Sequence, residues 1–325
     1  MIGTYEVKVS NTRVDFTLTL ERNITVIRGD SATGKSTFIG LIRDYEQDGD
    51  DSGVRLHAKS LLDNHNCPCR VLNSVDWQFR LGRINNSIVF IDEGNGFIKS
   101  DDFARAIQGS TNYYVIITRE NLHQLPYSVK SILKLKTTTR QQKTYIRSYK
   151  YYARLDTPVE NIADFQEIIT EDSNSGYEMF NHIAMQHGVE CISARGKSNV
   201  FNHLHYRPGE RLLVIADGAA FGAELEKVYK LAELHPRAIT LFLPESFEWL
   251  ILKSRIIRDS SYQNILMDPS SCIESEWFVS WERYFTDLLI HLTENTPLQY
   301  RKSHLNPVYL LQNHVDKLIE TMQNL

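Results

Sequence analysis

Residues Gly29-Asp30-Ser31-Ala32-Thr33-Gly34-Lys35-Ser36-Thr37 complete the pattern G-x-x-x-x-G-K-[ST], and the flanking residues restrict what this chain can become. Ile24-Thr25-Val26-Ile27-Arg28 reads as a buried strand, and Ser36 to Ile42 as the start of a helix. A strand that enters a glycine-rich turn and leaves it as a helix gives the motif a physical meaning. Backbone N–H groups of the turn can wrap a phosphate chain, and the helix N-terminus adds partial positive charge. In this reading residues Gly29 through Thr37 cradle the phosphates of ATP, Lys35 reaches the outer ones, and Ser36 helps to hold Mg²⁺. A chance glycine turn is the competing explanation, and the strand and helix on either side argue against it.

A second segment fits the first. Ile88-Val89-Phe90-Ile91-Asp92-Glu93 is an apolar strand ending in two carboxylates. Asp92 is placed to hold Mg²⁺ through water, and Glu93 to polarise an attacking water. Tyr113-Tyr114-Val115-Ile116-Ile117-Thr118 is a further buried strand, followed by Arg119, so Thr118 or Arg119 is a candidate sensor of the outermost phosphate. Ser128 to Leu135 reads as another strand. Upstream, Tyr5 to Val9 and Val14 to Leu20 alternate as strands do, and the polar turn Ser10-Asn11-Thr12-Arg13 joins them as in a hairpin.

Antiparallel strands leading into such a loop resemble the start of an ABC-type ATPase, and Asp92-Glu93 resembles a Walker B strand end with its catalytic glutamate. Two departures stand out. The interval between Ser36 and Ile88 is too short for the helical insertion of a transporter ATPase, and no LSGGQ-like signature precedes Asp92. Arg119 also stands where that family usually has histidine. Arg80 and Arg83 are candidates for a finger acting in trans, weighed against the simpler reading as surface arginines.

From Asn121 to Leu155 there is no acid, but there are eight basic residues, from Lys130 to Arg154, interleaved with Tyr145, Tyr149, Tyr151 and Tyr152. The whole chain has a net charge of −4, so the asymmetry is local. Two readings stay open. The stretch binds nucleic acid through phosphate neutralisation and base stacking, or it is a pair of strands with a solvated Lys/Arg face.

A linker from Thr157 to Asp164 includes Pro158, and strand and helix alternate after it. Strands are expected over Phe165 to Thr170, Val189 to Ala194, Arg211 to Ala216 and Ala238 to Leu243. Helices are expected over Gly176 to His187 and Phe221 to His235. Such alternation implies a mostly parallel sheet with carboxylates at the C-terminal strand ends. The tail from Glu274 to Leu325 is helical in pattern. Its aromatic stripe, Trp277, Phe278, Trp281, Tyr284 and Phe285, reads as core.

The pattern Glu171, Gly196-Lys197-Ser198-Asn199, Asp217, then Glu245-Ser246-Phe247-Glu248-Trp249-Leu250 resembles the TOPRIM fold of topoisomerases, primases and OLD-family nucleases. It is similar in particular to the TOPRIM-like effector of the PARIS anti-phage system, and an ABC-like ATPase joined to such a domain resembles the OLD family. The resemblance implies that Glu171 and Asp217 bind metal and, with Glu248, carry catalysis, with Asp172 assisting. Metal-dependent phosphodiester cleavage needs several carboxylates around Mg²⁺. The second acid of the family's D-x-D is missing, because Ala219 stands there.

The chain has 325 residues, room for two domains, with 42% apolar and 23% charged residues as in an ordinary globular protein. Its four cysteines make no disulfide framework. Cys67-Pro68-Cys69 with His57 and His65 invites a zinc reading, but a C-x-C without a second ligand pair is poor zinc spacing. No apolar run approaches the ~18 residues of a membrane helix, and the first residues lack a signal-peptide pattern, so a cytoplasmic location without membrane attachment is expected.

The expected fold class is α/β: a minimal ABC-like P-loop NTPase over residues 1–156, then a TOPRIM-like α/β domain with C-terminal helices over residues 165–325. The expected function is ATP binding and hydrolysis, coupled to an effector acting on or sensing nucleic acid in anti-phage defence, within a homo-oligomer. The alternative is a non-catalytic ATP-dependent sensor or scaffold whose degenerate second domain docks a partner. A nucleotide or polynucleotide kinase would share the loop, but no lid-like arginine cluster is readable.

Overall fold

The computed structural model describes residues 1–29, 33–73, 75–153, 155, 158–204 and 209–325. Asp30, Ser31 and Ala32 of the glycine-rich loop, Arg154 of the basic stretch and Thr157 at the head of the linker lie outside the described residues. The protein is mixed α/β and divides into two compact units. One comprises Met1–Ala153 with Met267–Ser280, the other Arg154–Leu266 with Trp281–Leu325.

Unit 1 is built from strands β1 (Tyr5–Ser10), β2 (Val14–Leu20), β3 (Ile24–Arg28), β4 (Arg55–Ser60), β5 (Cys69–Leu72), β6 (Ile88–Ile91), β7 (Tyr113–Ile117), β8 (Ile132–Arg140) and β9 (Lys143–Lys150). Its helices are α1 (Lys35–Asp48), α2 (Trp77–Leu81) and α3 (Asp101–Ala106). The nine strands form one sheet in the order β4-β1-β2-β9-β8-β3-β7-β6-β5. From β8 through β3, β7 and β6 to β5 the neighbours run parallel. Of these, β3, β7 and β6 are buried at every residue, and β7 and β6 are continuous apolar runs, as burial on both faces requires. The other half is antiparallel except where β2 meets β9. There the strands alternate, with Val7, Val9, Phe16, Leu18 and Ile146 turned to the core.

Helix α1 seals this core. Phe38 packs between Phe16 of β2 and Phe90 of β6, at ring-centroid distances of 5.1 and 5.5 Å. Gly34 precedes the helix with φ 86°, and a Cβ there would stand 3.1 Å from the Ile146 methyl carbon Cδ1. Only glycine tolerates that combination at low cost.

Unit 2 holds a second sheet of β10 (Glu167–Thr170), β11 (Glu190–Ser193), β12 (Leu212–Ile215) and β13 (Ile239–Phe242), all parallel in the order β11-β10-β12-β13. Helices α4 (Ser175–His187), α5 (Val200–His203), α6 (Leu225–Leu234), α7 (Phe247–Lys253) and α8 (Gln263–Met267) follow its strands, and α9 (Trp281–Thr293) and α10 (Gln312–Asn324) follow later. The chain leaves β10 for β11 on one side and returns to β12 on the other. The C-terminal ends of β10 and β12 therefore flank a topological switch point, where open α/β sheets place ligands.

Several elements differ from the sequence expectation. The tail is not helical throughout: two helices are separated by turns and a short 3₁₀ segment, Pro307–Leu310. Trp277 is 75% exposed and precedes α9, whose buried stripe is Trp281, Phe285 and Leu289. Residues 267–280 group with unit 1. The N-terminal amine bonds the Glu274 carboxylate and the Ser275 hydroxyl, and Asn23 Nδ2 donates to the Val279 carbonyl at 3.1 Å. Cys191 is half-buried on the edge strand β11. Among the described residues no helix is long and apolar enough to cross a membrane.

Candidate functional site

In unit 1 the glycine-rich loop joins β3 to α1. Of its residues, Gly29, Thr33, Gly34, Lys35, Ser36 and Thr37 are described. Lys35 opens the helix, and its ammonium donates to the Gly29 carbonyl at 2.7 Å and to the Thr33 hydroxyl at 3.1 Å. The lysine thus lies across the turn, held by the turn's own oxygens. Ser36 and Thr37 follow in the first helical turn with exposed side chains.

Asp92 and Glu93 lie at the C-terminal end of β6, and Thr118 and Arg119 at that of β7. Because β7 lies between β3 and β6 and all three run parallel, the loop, the sensor candidates and the acidic pair share one edge of the sheet. Asp92 Oδ1 accepts from the Glu93 N–H at 2.8 Å, and its carbonyl accepts from Asn95 Nδ2 at 2.8 Å. Arg119 Nε stands 3.1 Å from Glu93 Oε1. The Thr118 hydroxyl instead accepts from the Glu120 N–H at 3.0 Å and closes its own turn. Ser36 and Asp92 offer hard oxygen donors of the kind Mg²⁺ takes beside nucleotide phosphates. Arg80 and Arg83 are exposed on α2 and the turn after it, with Arg83 stacked 3.8 Å over the Phe79 ring.

In unit 2 the switch point carries an acidic pocket of ≈ 210 Å³, lined by Glu171, Asp172, Asp217, Glu248, Glu282 and Lys302 among others. Glu171 follows β10 and accepts the Asp217 N–H at Oε2, at 3.1 Å. Asp217 follows β12 and accepts the Phe247 N–H at Oδ1, at 3.0 Å. The pair is brought close by Gly218, whose N–H donates to the Pro244 carbonyl at 2.6 Å. A Cβ at Gly218 would lie 2.5 Å from the Leu243 carbonyl oxygen, so no other residue fits. Asp172 accepts from the N–H groups of Ser173, Asn174 and Gly176, at 2.7, 3.1 and 2.8 Å, and so caps the start of α4.

Glu248, 1% exposed, accepts the Tyr300 hydroxyl at 2.9 Å through Oε1, while its Oε2 is buried without a hydrogen-bond partner. Lys302 Nζ stands 2.7 Å from Glu282 Oε1 and 3.9 Å from Glu248 Oε1. Burial pushes the Glu171 carboxyl up to about 7, with Glu282 and Asp172 adding to the rise against the Asp217 N–H and Lys197. Burial also raises Asp217 well above the usual range, with Glu282, Glu171 and Glu248 adding to it. For Lys302, burial opposes the charge, but Glu248 and Glu282 outweigh it and lift its affinity for the proton.

The sheet brings Glu171, Asp217 and Glu248 to one pocket, and Glu282, Tyr300 and Lys302 join them from a segment in which the sequence carries no motif. Among the described residues, no group of three or more His, Cys, Asp or Glu side chains is arranged to hold a metal ion. Backbone amides engage Glu171, Asp172 and Asp217, and Lys302 engages Glu248 and Glu282, so the donor set as arranged does not fit a Mg²⁺ ion. Cys67 and Cys69 are buried thiols, and burial pushes that of Cys67 up to about 11. Comparison with protein-family models and with curated proteins finds no match for this chain.

Proposed function

We propose that unit 1 binds and hydrolyses a nucleoside triphosphate, ATP in the first instance. The observation that carries the reading is the strand order β3-β7-β6, which sets the glycine-rich loop, Arg119 and the Asp92-Glu93 pair along one parallel edge. An ABC-like ATPase would need that order. The described loop amides and Lys35 hold the phosphates. Ser36 and Asp92 hold the Mg²⁺ that would offset the phosphate charge. Glu93 orients the attacking water, and Arg119 restrains Glu93 until the phosphates compete for the guanidinium. Self-association into a homo-oligomer would supply the residues that close the site.

Lys35→Ala abolishes binding of a fluorescent ATP analogue, and Glu93→Gln preserves binding while stopping phosphate release. Wild-type protein with no measurable affinity for ATP or GTP in Mg²⁺ overturns the reading.

Unit 2 is the proposed effector, and its four-stranded parallel sheet with acids after β10 and β12 supports the TOPRIM-like reading. Its proposed partner is nucleic acid, in the setting of anti-phage defence. Within it a second reading has an observation of its own. Ala219 replaces an acid and Lys302 neutralises two others, which favours a sensor that docks a partner over a Mg²⁺-dependent nuclease. Cleavage of DNA or RNA that disappears in Asp217→Ala decides for the nuclease.

A further inference from the structure

The antiparallel half of the unit 1 sheet has two faces. Phe16, Leu18 and Ile146 point to the core on the side of α1, and the other face is open. Residues directly opposite across a strand pair share a face, so the register shows what this open face carries. Between β8 and β9 it presents Lys134 opposite Tyr149, Lys136 opposite Arg147, Thr138 opposite Tyr145, and Arg140 opposite Lys143. β2 adds Asp15 and Thr17 beside Tyr145 and Arg147. β1 and β4 continue the row with Lys8 opposite His57, and Arg55 and Lys59 on the same side.

Among the described residues, the acids within the strands of this face, Glu6 and Asp15, are already neutralised by its own cations. Asp15 pairs with Arg147 at 2.7 Å and with Lys143 at 3.7 Å, and Glu6 with Lys8 at 2.5 Å. Among the described residues, Arg55, Lys59, Lys134, Lys136 and Arg140 form no ion pair. The tyrosines stand between these charges. Lys136 Nζ lies 5.0 Å from the Tyr149 ring centroid and the Arg147 guanidinium 5.7 Å from that of Tyr145, while Tyr149 is 49% exposed. Tyr145, Arg147 and Tyr149, together with Thr138, Arg140 and Gln141, line a groove of ≈ 790 Å³.

A surface with excess cations alone attracts any polyanion. Aromatic rings set among them add affinity for unpaired bases, whose faces a duplex hides. We infer that the open face of β4-β1-β2-β9-β8 is a platform for single-stranded nucleic acid, with Tyr145 and Tyr149 stacking on bases and the lysines and arginines of β8 and β9 engaging phosphates. The inference deepens the nucleic-acid part of the proposed function and is independent of the nucleotide loop.

The test is fluorescence anisotropy of labelled 20-nucleotide oligo(dT) and oligo(U), with a 20-base-pair duplex and heparin as competitors, over a range of KCl concentrations. Wild-type protein is compared with Tyr145→Ala/Tyr149→Ala and with Lys134→Gln/Lys136→Gln, with a circular-dichroism melt of each to report folding and ATP-analogue binding measured alongside. The expected result is preference for the single strands and a log–log salt slope of about −2 to −3.5, the value for three to five neutralised phosphates. The tyrosine pair removes two stacking partners and should weaken binding about 30-fold or more, and the lysine pair should flatten the salt slope. Equal or tighter duplex binding overturns the platform, as does a tyrosine pair within twofold of wild type, which would mean a plain polyanion surface. Oligonucleotide binding unchanged in both variants places the site elsewhere and leaves only the nucleic-acid partner standing. ATP binding without any oligonucleotide binding sinks the platform and spares the nucleotide site. Oligonucleotide binding without ATP affinity does the reverse.

Discussion

Gly34 and Glu171 each show one residue setting the terms for its surroundings. Gly34 combines a left-handed backbone with a side-chain position that β9 already fills. Gly34→Ala should cost about 1–2 kcal/mol from the backbone alone, and the forced shift of Ile146 should move the loop. The expected outcome is a lower Tm together with weakened ATP-analogue binding, whereas Gly40→Ala, a helical position with open space around it, should change neither by a comparable amount. Glu171 makes a pH argument. Its folded-state value, about 7, lies above the ordinary carboxyl range. Its contribution to stability is therefore complete at low pH and is lost as pH rises from about 4.5 to about 7, a change of roughly 3 kcal/mol. Urea midpoints at pH 5 and pH 8 should show this fall, and Glu171→Gln should flatten it. An equal fall in the Gln variant would assign the pH dependence to other groups.

At the scale of elements, α1 and the segment 294–306 have opposite histories. Helix α1 announces itself through its glycine turn and the apolar spacing of Phe38, Ile39 and Ile42, because the residues that make the helix are those that bury it. Phe38→Ala would leave a cavity against Phe16 and Phe90 and should cost about 3–5 kcal/mol, readable as a lower urea midpoint. The strands β3, β6, β7 and β10 to β13 are legible for the same reason: each is a local run of apolar residues. Lys302 and Glu282 have no such local signature. A lysine in a turn and a glutamate in the first turn of α9 look like surface residues until the fold sets them beside Glu248. The β8–β9 register was hidden too, since an acid-free stretch does not say which of its residues share a face. Lys302→Met should destabilise unit 2 by about 1–3 kcal/mol, because Glu248 and Glu282 lose their counter-charge in a partly dry pocket. Adding Glu248→Gln should recover part of the loss in Tm, whereas additive losses would deny the coupling.

At the scale of the whole molecule, residues 267–280 group with the N-terminal unit although they lie far from it in sequence. The sequence marks a linker near Pro158 but carries no sign that residues 267–280 return to unit 1, because their ties are to the N-terminal amine, Asn23 and Ser270 contacts with Gly3 and Thr4. A fragment of residues 1–153 therefore lacks part of its own unit. It should melt below the first transition of the full-length chain, and a synthetic peptide of residues 267–280 added in excess should raise its Tm. A fragment as stable as the intact unit, and indifferent to the peptide, would show that the returning segment contributes nothing.

That returning segment also imposes a timetable during synthesis. A ribosome that has released residue 153 must still translate through residue 280 before the missing piece is complete, roughly 6–25 s at ordinary elongation rates. Until then the nascent sheet is kept from its final partner, and the C-terminal half of the message sets when the N-terminal half can finish folding.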